Sequence, residues 1–257
     1  MHPKNLLGIL LAAAVTVAFA GAGKAADLGV GAPPVAVLSP WYISGKIGAR
    51  GLFERDVDCV NPRVTTCLGE DDSNRLRLMA AVAIGFYVPT VPVRFEIEYA
   101  NRFDDDFVLK TIGFCPAAQC GIGLNFNGFN FIDYKNQTLM LNGYWDFALN
   151  SWLGAFVGAG VGVSFHETSG QQFFTSPQLP GFTPLATWAS HHTDTLAWSL
   201  TAGLAFKASP NVTVDLAYRF VDLGRYDTGI NVNAFFDESF SARVYSHEVL
   251  LGFRYRL

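Results

Sequence analysis

The chain has 257 residues and a formal net charge of −4, and half of its residues are hydrophobic. That balance excludes a polybasic nucleic-acid binder. After the first 25 residues no run approaches the roughly 20 consecutive apolar residues of a membrane helix, so the apolar content has to be spent in another architecture.

Residues 1–25 read as a signal peptide. They hold a basic start at Lys4, an apolar stretch from Leu6 to Ala22, and small residues Gly23 and Ala25 before the expected cleavage at Ala26. Gly8, Thr16 and Gly21 interrupt the run, and no stop-transfer flank follows, which disfavours a membrane-spanning helix. Losing Lys4 and Lys24 takes the net charge from −4 to −6. A linker over 26–40, containing Pro33 and Pro34, then leads into the first regular segment.

From residue 41 to the end, eight segments alternate apolar with polar or small residues: 41–53, 76–88, 93–99, 139–147, 153–165, 196–206, 212–220 and 245–257. Trp41, Ile43, Gly45, Ile47, Ala49, Gly51 and Phe53 open the series, and no residue of this phase is charged in any segment. The opposite phase carries Lys46, Arg50, Arg75, Arg77, Arg94, Glu96, Glu98, Arg102, Asp146, Asp215, Arg219, Glu248 and Arg254. Successive strand residues point to opposite faces, so a lipid face and a polar lumen separate cleanly. A one-residue slip would turn the basic side chains into lipid at about 2–4 kcal/mol each near the midplane. The pattern therefore predicts an all-β fold, an eight-stranded antiparallel up-and-down transmembrane β-barrel over 41–257.

Connections alternate between short (89–92, 149–152 and 208–211) and long (54–74, 104–130, 167–193 and 221–242). Short turns face the periplasm in such barrels and long loops face outside, so both termini are expected in the periplasm. Trp41, Trp145, Trp152, Phe206 and Tyr255 should mark the periplasmic interface; Phe53, Tyr99, Phe103, Phe165, Phe220 and Tyr245 the external one. Eight strands enclose a space that side chains can fill, so the inward charges are expected to pair with one another and close the lumen. The inward glycines Gly154, Gly158, Gly160 and Gly162 are expected to leave room for long arginines.

Cys59 with Cys67, and Cys115 with Cys120, fall between strands, and two local disulfides are the leading reading in an exported chain. Neither pair has CxxC spacing or a nearby histidine, so zinc is not expected. His166, His191 and His192 could offer imidazoles to haem or a metal, although loop histidines commonly bind nothing. Asp104, Asp105 and Asp106, with Glu70, Asp71 and Asp72, could hold a divalent cation but read more simply as solvated charges. Ser164 and His166 share a face, yet their order with Glu167 or Glu248 fits no hydrolase arrangement, so no catalytic residue is assigned.

Three stretches carry a family resemblance: Ala26-Asp27-Leu28, Trp41-Tyr42-Ile43-Ser44-Gly45-Lys46-Ile47-Gly48, and Tyr218-Arg219-Phe220-Val221-Asp222-Leu223-Gly224. Together they resemble the opacity-type, porin-like outer-membrane β-barrel family of Gram-negative bacteria. The resemblance implies an exported envelope component, adhesin or surface antigen, with some members resembling haem binders; for this chain no cofactor is expected, and the expected partners are outer-membrane lipids and lipopolysaccharide. It also implies that Leu251, Phe253, Tyr255 and Leu257 form the C-terminal signal read by the barrel-assembly machinery, with Leu257 where the family usually has Phe. The expected role is structural and surface-displaying. A small-solute porin and a loop-mediated binder of haem or a host surface are the alternatives.

Overall fold

The computed structural model describes residues 39–60, 64–70, 76–115, 123–178, 185–229 and 237–257, with the single positions 117 and 180 and the pair 231–232. The signal-peptide reading and nearly all of the linker lie outside these residues. Among the described residues ten strands form: β1 (Trp41–Val60), β2 (Val64–Glu70), β3 (Arg77–Tyr87), β4 (Val93–Cys115), β5 (Leu124–Ala148), β6 (Leu153–Thr175), β7 (Leu185–Lys207), β8 (Val212–Asp227), β9 (Asn231–Val232) and β10 (Asp237–Arg256). Eight of them make the wall in the order β1-β3-β4-β5-β6-β7-β8-β10, and antiparallel pairing of β10 with β1 closes it. Short β2 pairs with the outer part of β4, and β9 with the start of β10. The fold is an eight-stranded up-and-down barrel.

Tight turns define one end. Asn150 Oδ1 accepts from the backbone N–H groups of Trp152 (3.0 Å) and Leu153 (2.7 Å), which fixes the β5–β6 turn. Ser209 does the same for β7–β8 by accepting from the Val212 N–H at 3.1 Å.

Outward residues form an apolar belt. Ile47, Leu78, Ile97, Leu141, Leu200 and Phe253 are all more than half exposed, as a lipid-facing surface requires in the absence of lipid. On β1 the belt runs from Trp41 to Phe53; at about 3.3 Å per residue and a tilt near 40°, that is roughly 30 Å, enough for a hydrocarbon band and its interfaces.

The long loops need correction. Strand occupies most of 104–130 and 167–193 and much of 54–74 and 221–242, because β4, β5, β6 and β7 run far beyond the belt, β1, β8 and β10 also pass it, and β2 forms between β1 and β3. Above the membrane the outside is water, so the strict separation of apolar outside from polar inside ends there: Ile112, Phe114 and Phe131 stay exposed, but charged residues join them and some apolar residues turn in. Asp133, Lys135 and Glu167 point outward, while Leu109, Ile132, Trp188 and Phe240 are packed inside. The regular alternation that marks a lipid-facing strand stops there, although the strands do not.

The Tyr218–Gly224 stretch gains a structural reason. β8 and β10 lose register between Val244 and Tyr245, and Gly224 absorbs the extra residue at φ +86°, a conformation that L side chains rarely adopt. Asp222 Oδ1 accepts from the Gly224 N–H at 3.0 Å, locking the bulge.

Candidate functional site

The lumen holds the chemistry. β4 turns Arg94, Glu96, Glu98 and Arg102 inward because they share one strand phase, and β1, β8 and β10 supply Lys46, Arg219, Glu248 and Arg254 opposite them. A continuous chain of contacts then runs up the axis. Arg94 Nε donates to Asp146 Oδ1 (3.1 Å) and its Nη1 to Glu96 Oε1 (2.6 Å). Lys46 Nζ bridges Glu96 (2.6 Å) and Glu98 (2.5 Å). Arg219 links Glu98 to Glu248, and Arg102 Nε reaches the other oxygen of Glu248 at 2.8 Å. Arg102 Nη1 ends the chain on Asn136 and Thr138, both at 3.1 Å. Beside it, Arg254 grips Asp215 with two bonds of 2.6 and 2.7 Å.

Signs alternate along this chain, and that is what makes it tolerable. Five cations (Lys46, Arg94, Arg102, Arg219 and Arg254) meet five carboxylates (Glu96, Glu98, Asp146, Asp215 and Glu248). An isolated buried charge would be prohibitive, whereas paired and hydrogen-bonded ones need only good geometry. Two further inward arginines, Arg50 and Arg77, lie toward the external end. Arg50 and Arg77 face each other across β1 and β3, and Arg50 donates to the Phe103 carbonyl at 2.7 Å. Arg75 lies outside the described residues.

Neutral groups complete the packing. Tyr42 donates its hydroxyl proton to Glu96 at 2.8 Å, and Arg94 sits over Tyr144 with its Cζ 3.9 Å from the ring centroid. The inward glycines of β6 make room for this ring and for the neighbouring strand. A Cβ at Gly158 would meet the Tyr144 ring, one at Gly160 the Asn142 amide, and one at Gly162 the β5 backbone. The expected space for arginines is thus filled by tyrosine, asparagine and main chain. Tyr42, Tyr144, Asn136 and Thr138 share the inward phase, which was the signal available for them.

Little free space remains at mid-barrel. The cavity between Lys46, Arg94, Phe156 and Arg219 measures about 20 Å3, room for about one water. A wider vestibule of about 460 Å3 opens at the turn end, lined by Tyr42, Tyr87, Asp146, Arg254 and Arg256 among others.

Other candidates do not assemble. His166 is buried inside and spends both ring nitrogens: Nε2 lies 3.0 Å from the Leu223 carbonyl, which can only accept, so Nδ1 accepts from Tyr134 at 2.7 Å. His192, on β7 opposite Glu167, faces outside, and His191 is 4.0 Å from Asp227, so the three imidazoles do not converge. Ser164 Oγ accepts from Asn136 Nδ2 at 2.7 Å, leaving no serine–histidine pair here. Among the described residues no cluster could hold a metal ion. The backbones of Cys59, Cys67 and Cys115 lie in β1, β2 and β4, but their side chains and Cys120 lie outside the described residues, as do the side chains of Glu70, Asp71, Asp72, Asp104 and Asp105. Leu251, Phe253, Tyr255 and Leu257 form an exposed outward row on β10 and the residue after it.

Among curated proteins, the chain is 26% identical over 234 residues to outer membrane protein PagN of Salmonella typhimurium, across 83% of this chain and 88% of that protein. The chain is an outer-membrane barrel protein. It is also 31% identical over 120 residues to a Rickettsia bellii protein named as a proposed adhesin, covering 46% of the barrel chain and 51% of that relative. The barrel's similarity to that relative therefore spans about half of its length. Similar solved structures include Neisserial surface protein A (13% identity, 85% of this chain and 98% of that one, TM-score 0.46) and OprG from Pseudomonas aeruginosa (10%, 86% and 98%, TM-score 0.48). No protein-family model matches the sequence. The Salmonella relative is named as an outer-membrane protein, in keeping with a place for the barrel in the envelope.

Proposed function

We propose that the barrel is a closed scaffold that stabilises the outer membrane and holds long β-hairpins out from the cell surface. The observation that carries this reading is the charge-balanced chain from Asp146 to Arg102, which fills the axis of an eight-stranded wall. A conduction path would have to break several buried ion pairs for each ion passed. The hairpins extend well above the belt on an internally packed support, and rigid supports of this kind commonly present binding surfaces. The relative named as a proposed adhesin favours a second element of the same reading, contact of the hairpin tips with another surface. Assembly would proceed through the barrel-assembly machinery, with the outward row ending at Leu257 as its signal. Liposome swelling tests the closed state: vesicles carrying the folded barrel should swell in small sugars no faster than empty ones, and rapid swelling would identify a porin.

A further inference from the structure

The vestibule at the turn end carries more positive charge than its acids balance. Asp146 and Asp215, the inward acids of this end, are already engaged by Arg94 and Arg254. Two further cations line the same space, Lys207 at the end of β7 and Arg256 at the end of β10. Among the described residues neither has an acidic partner.

Arg254 shows what its neighbour lacks. The two arginines are two residues apart on β10, so they share the inward face, and both lie near the Tyr87 ring, with Cζ 6.0 Å from its centroid for Arg254 and 4.5 Å for Arg256. The Arg254 fork is filled: Nε and Nη2 donate to the two oxygens of Asp215 at 2.6 and 2.7 Å, and Nη1 donates to the Tyr87 hydroxyl at 2.6 Å. The Arg256 Nε is buried and finds no acceptor among the described residues. A buried donor left in that state costs free energy, and an anion that reaches it removes the cost.

Strand register sets the spacing of the two cations. Thr213 of β8 is the partner of both Lys207 and Arg254, so Lys207 stands two strands away from β10, about 10 Å at the usual strand spacing. Long side chains from β7 and β10 can therefore meet the two ends of one small molecule. The vestibule, at about 460 Å3, falls in the size range of small-molecule sites. It is also blind, since the mid-barrel cavity beyond it has room for about one water. Phe147, Ala155, Ala205 and Pro210 give it an apolar wall.

We propose that the vestibule binds a small organic dianion of the dicarboxylate class, with one carboxylate on Arg256, the other on Lys207 and the carbon skeleton against the apolar wall. A planar carboxylate suits the Arg256 fork as Asp215 suits that of Arg254, by accepting two parallel bonds. Inorganic phosphate would leave the wall uncovered. This assignment goes beyond the closed scaffold and is read by binding at the turn end, not by conductance.

Isothermal titration calorimetry of the folded barrel in zwitterionic detergent at low ionic strength tests it, with isophthalate as the probe and benzoate, isophthalamide and inorganic phosphate as comparisons. Isophthalate should bind at least about tenfold more tightly than benzoate, and the neutral diamide should not bind measurably. R256Q should weaken isophthalate binding about tenfold and K207Q about threefold, the smaller effect reflecting the exposure of Lys207. Neither substitution breaks an ion pair, so both variants should keep the heat-modifiable migration of the folded barrel. K135Q, far from the turn end on β5, should bind as wild type does. Equal binding by wild type, R256Q and K207Q, or no preference for isophthalate over benzoate, would overturn the assignment. Phosphate binding as tightly as isophthalate would overturn it too, by showing that the wall and the second cation contribute nothing.

Discussion

Replacing Glu98 with Gln removes one carboxylate from the centre of the lumen chain. Glu98 is fully buried, with Lys46 Nζ at 2.5 Å on one oxygen and Arg219 on the other. Removing one partner of a buried ion pair costs about 3–5 kcal/mol, since the opposing charge stays buried. Both cations keep a second partner, Lys46 on Glu96 and Arg219 on Glu248, which places the expected loss near the bottom of that range, about 3 kcal/mol. Adding Lys46→Met should then recover about 2 kcal/mol, because the double variant removes one charge of each sign and leaves an apolar chain in the space. Urea unfolding in phospholipid vesicles, followed by tryptophan fluorescence and heat-modifiable migration, measures both. A surface control, Glu167→Gln, keeps an acceptor oxygen for the 2.9 Å bond from Ser190 and should change stability by less than about 0.5 kcal/mol. If Glu98→Gln were as stable as wild type, or the double variant less stable than the single one, the charge-balance explanation of the filled lumen would be wrong.

Gly162→Ala should destabilise by about 1–3 kcal/mol in the same unfolding experiment, since the new Cβ meets the Leu139 carbonyl and Met140 Cα. Gly45→Ala, with nothing within 4 Å of the added atom, should be neutral or slightly stabilising, and a loss like that of Gly162→Ala would refute the close-approach explanation. Asn150→Ala should cost about 1 kcal/mol by leaving the Trp152 and Leu153 N–H groups without their acceptor, measurable as a lower urea midpoint. Leu257→Phe should raise the folded fraction recovered from cells while leaving vesicle stability unchanged; a shift in stability instead would move its effect from assembly to packing.

The wall was legible in the sequence because one requirement, apolar residues every second position against lipid, acts on every strand within the belt. The inward phase was equally legible, and it carried Lys46, Glu96, Glu98 and Arg219 to one axis without any knowledge of register. Which cation meets which acid was not legible, since that depends on the stagger between strands: Lys46 and Glu98 are 52 residues apart in sequence and meet only because β1 and β4 flank β3. The outer halves of β4 to β7 were read as loops because water replaces lipid there and the strict alternation ends, with charged residues outside and Leu109, Ile132 and Trp188 packed inside. The tyrosines that seat Arg94 share the inward phase but carry no charge to single them out.

Single-channel conductance of the folded wild-type barrel in a planar bilayer tests the filled lumen most directly. Silence from protein shown to be folded by heat-modifiable migration is the expected result, because the ion-pair chain from Asp146 to Arg102 leaves room for about one water at mid-barrel. Discrete, reproducible openings whose size changes when Arg77 or Glu98 is replaced would contradict it and make the lumen a pore.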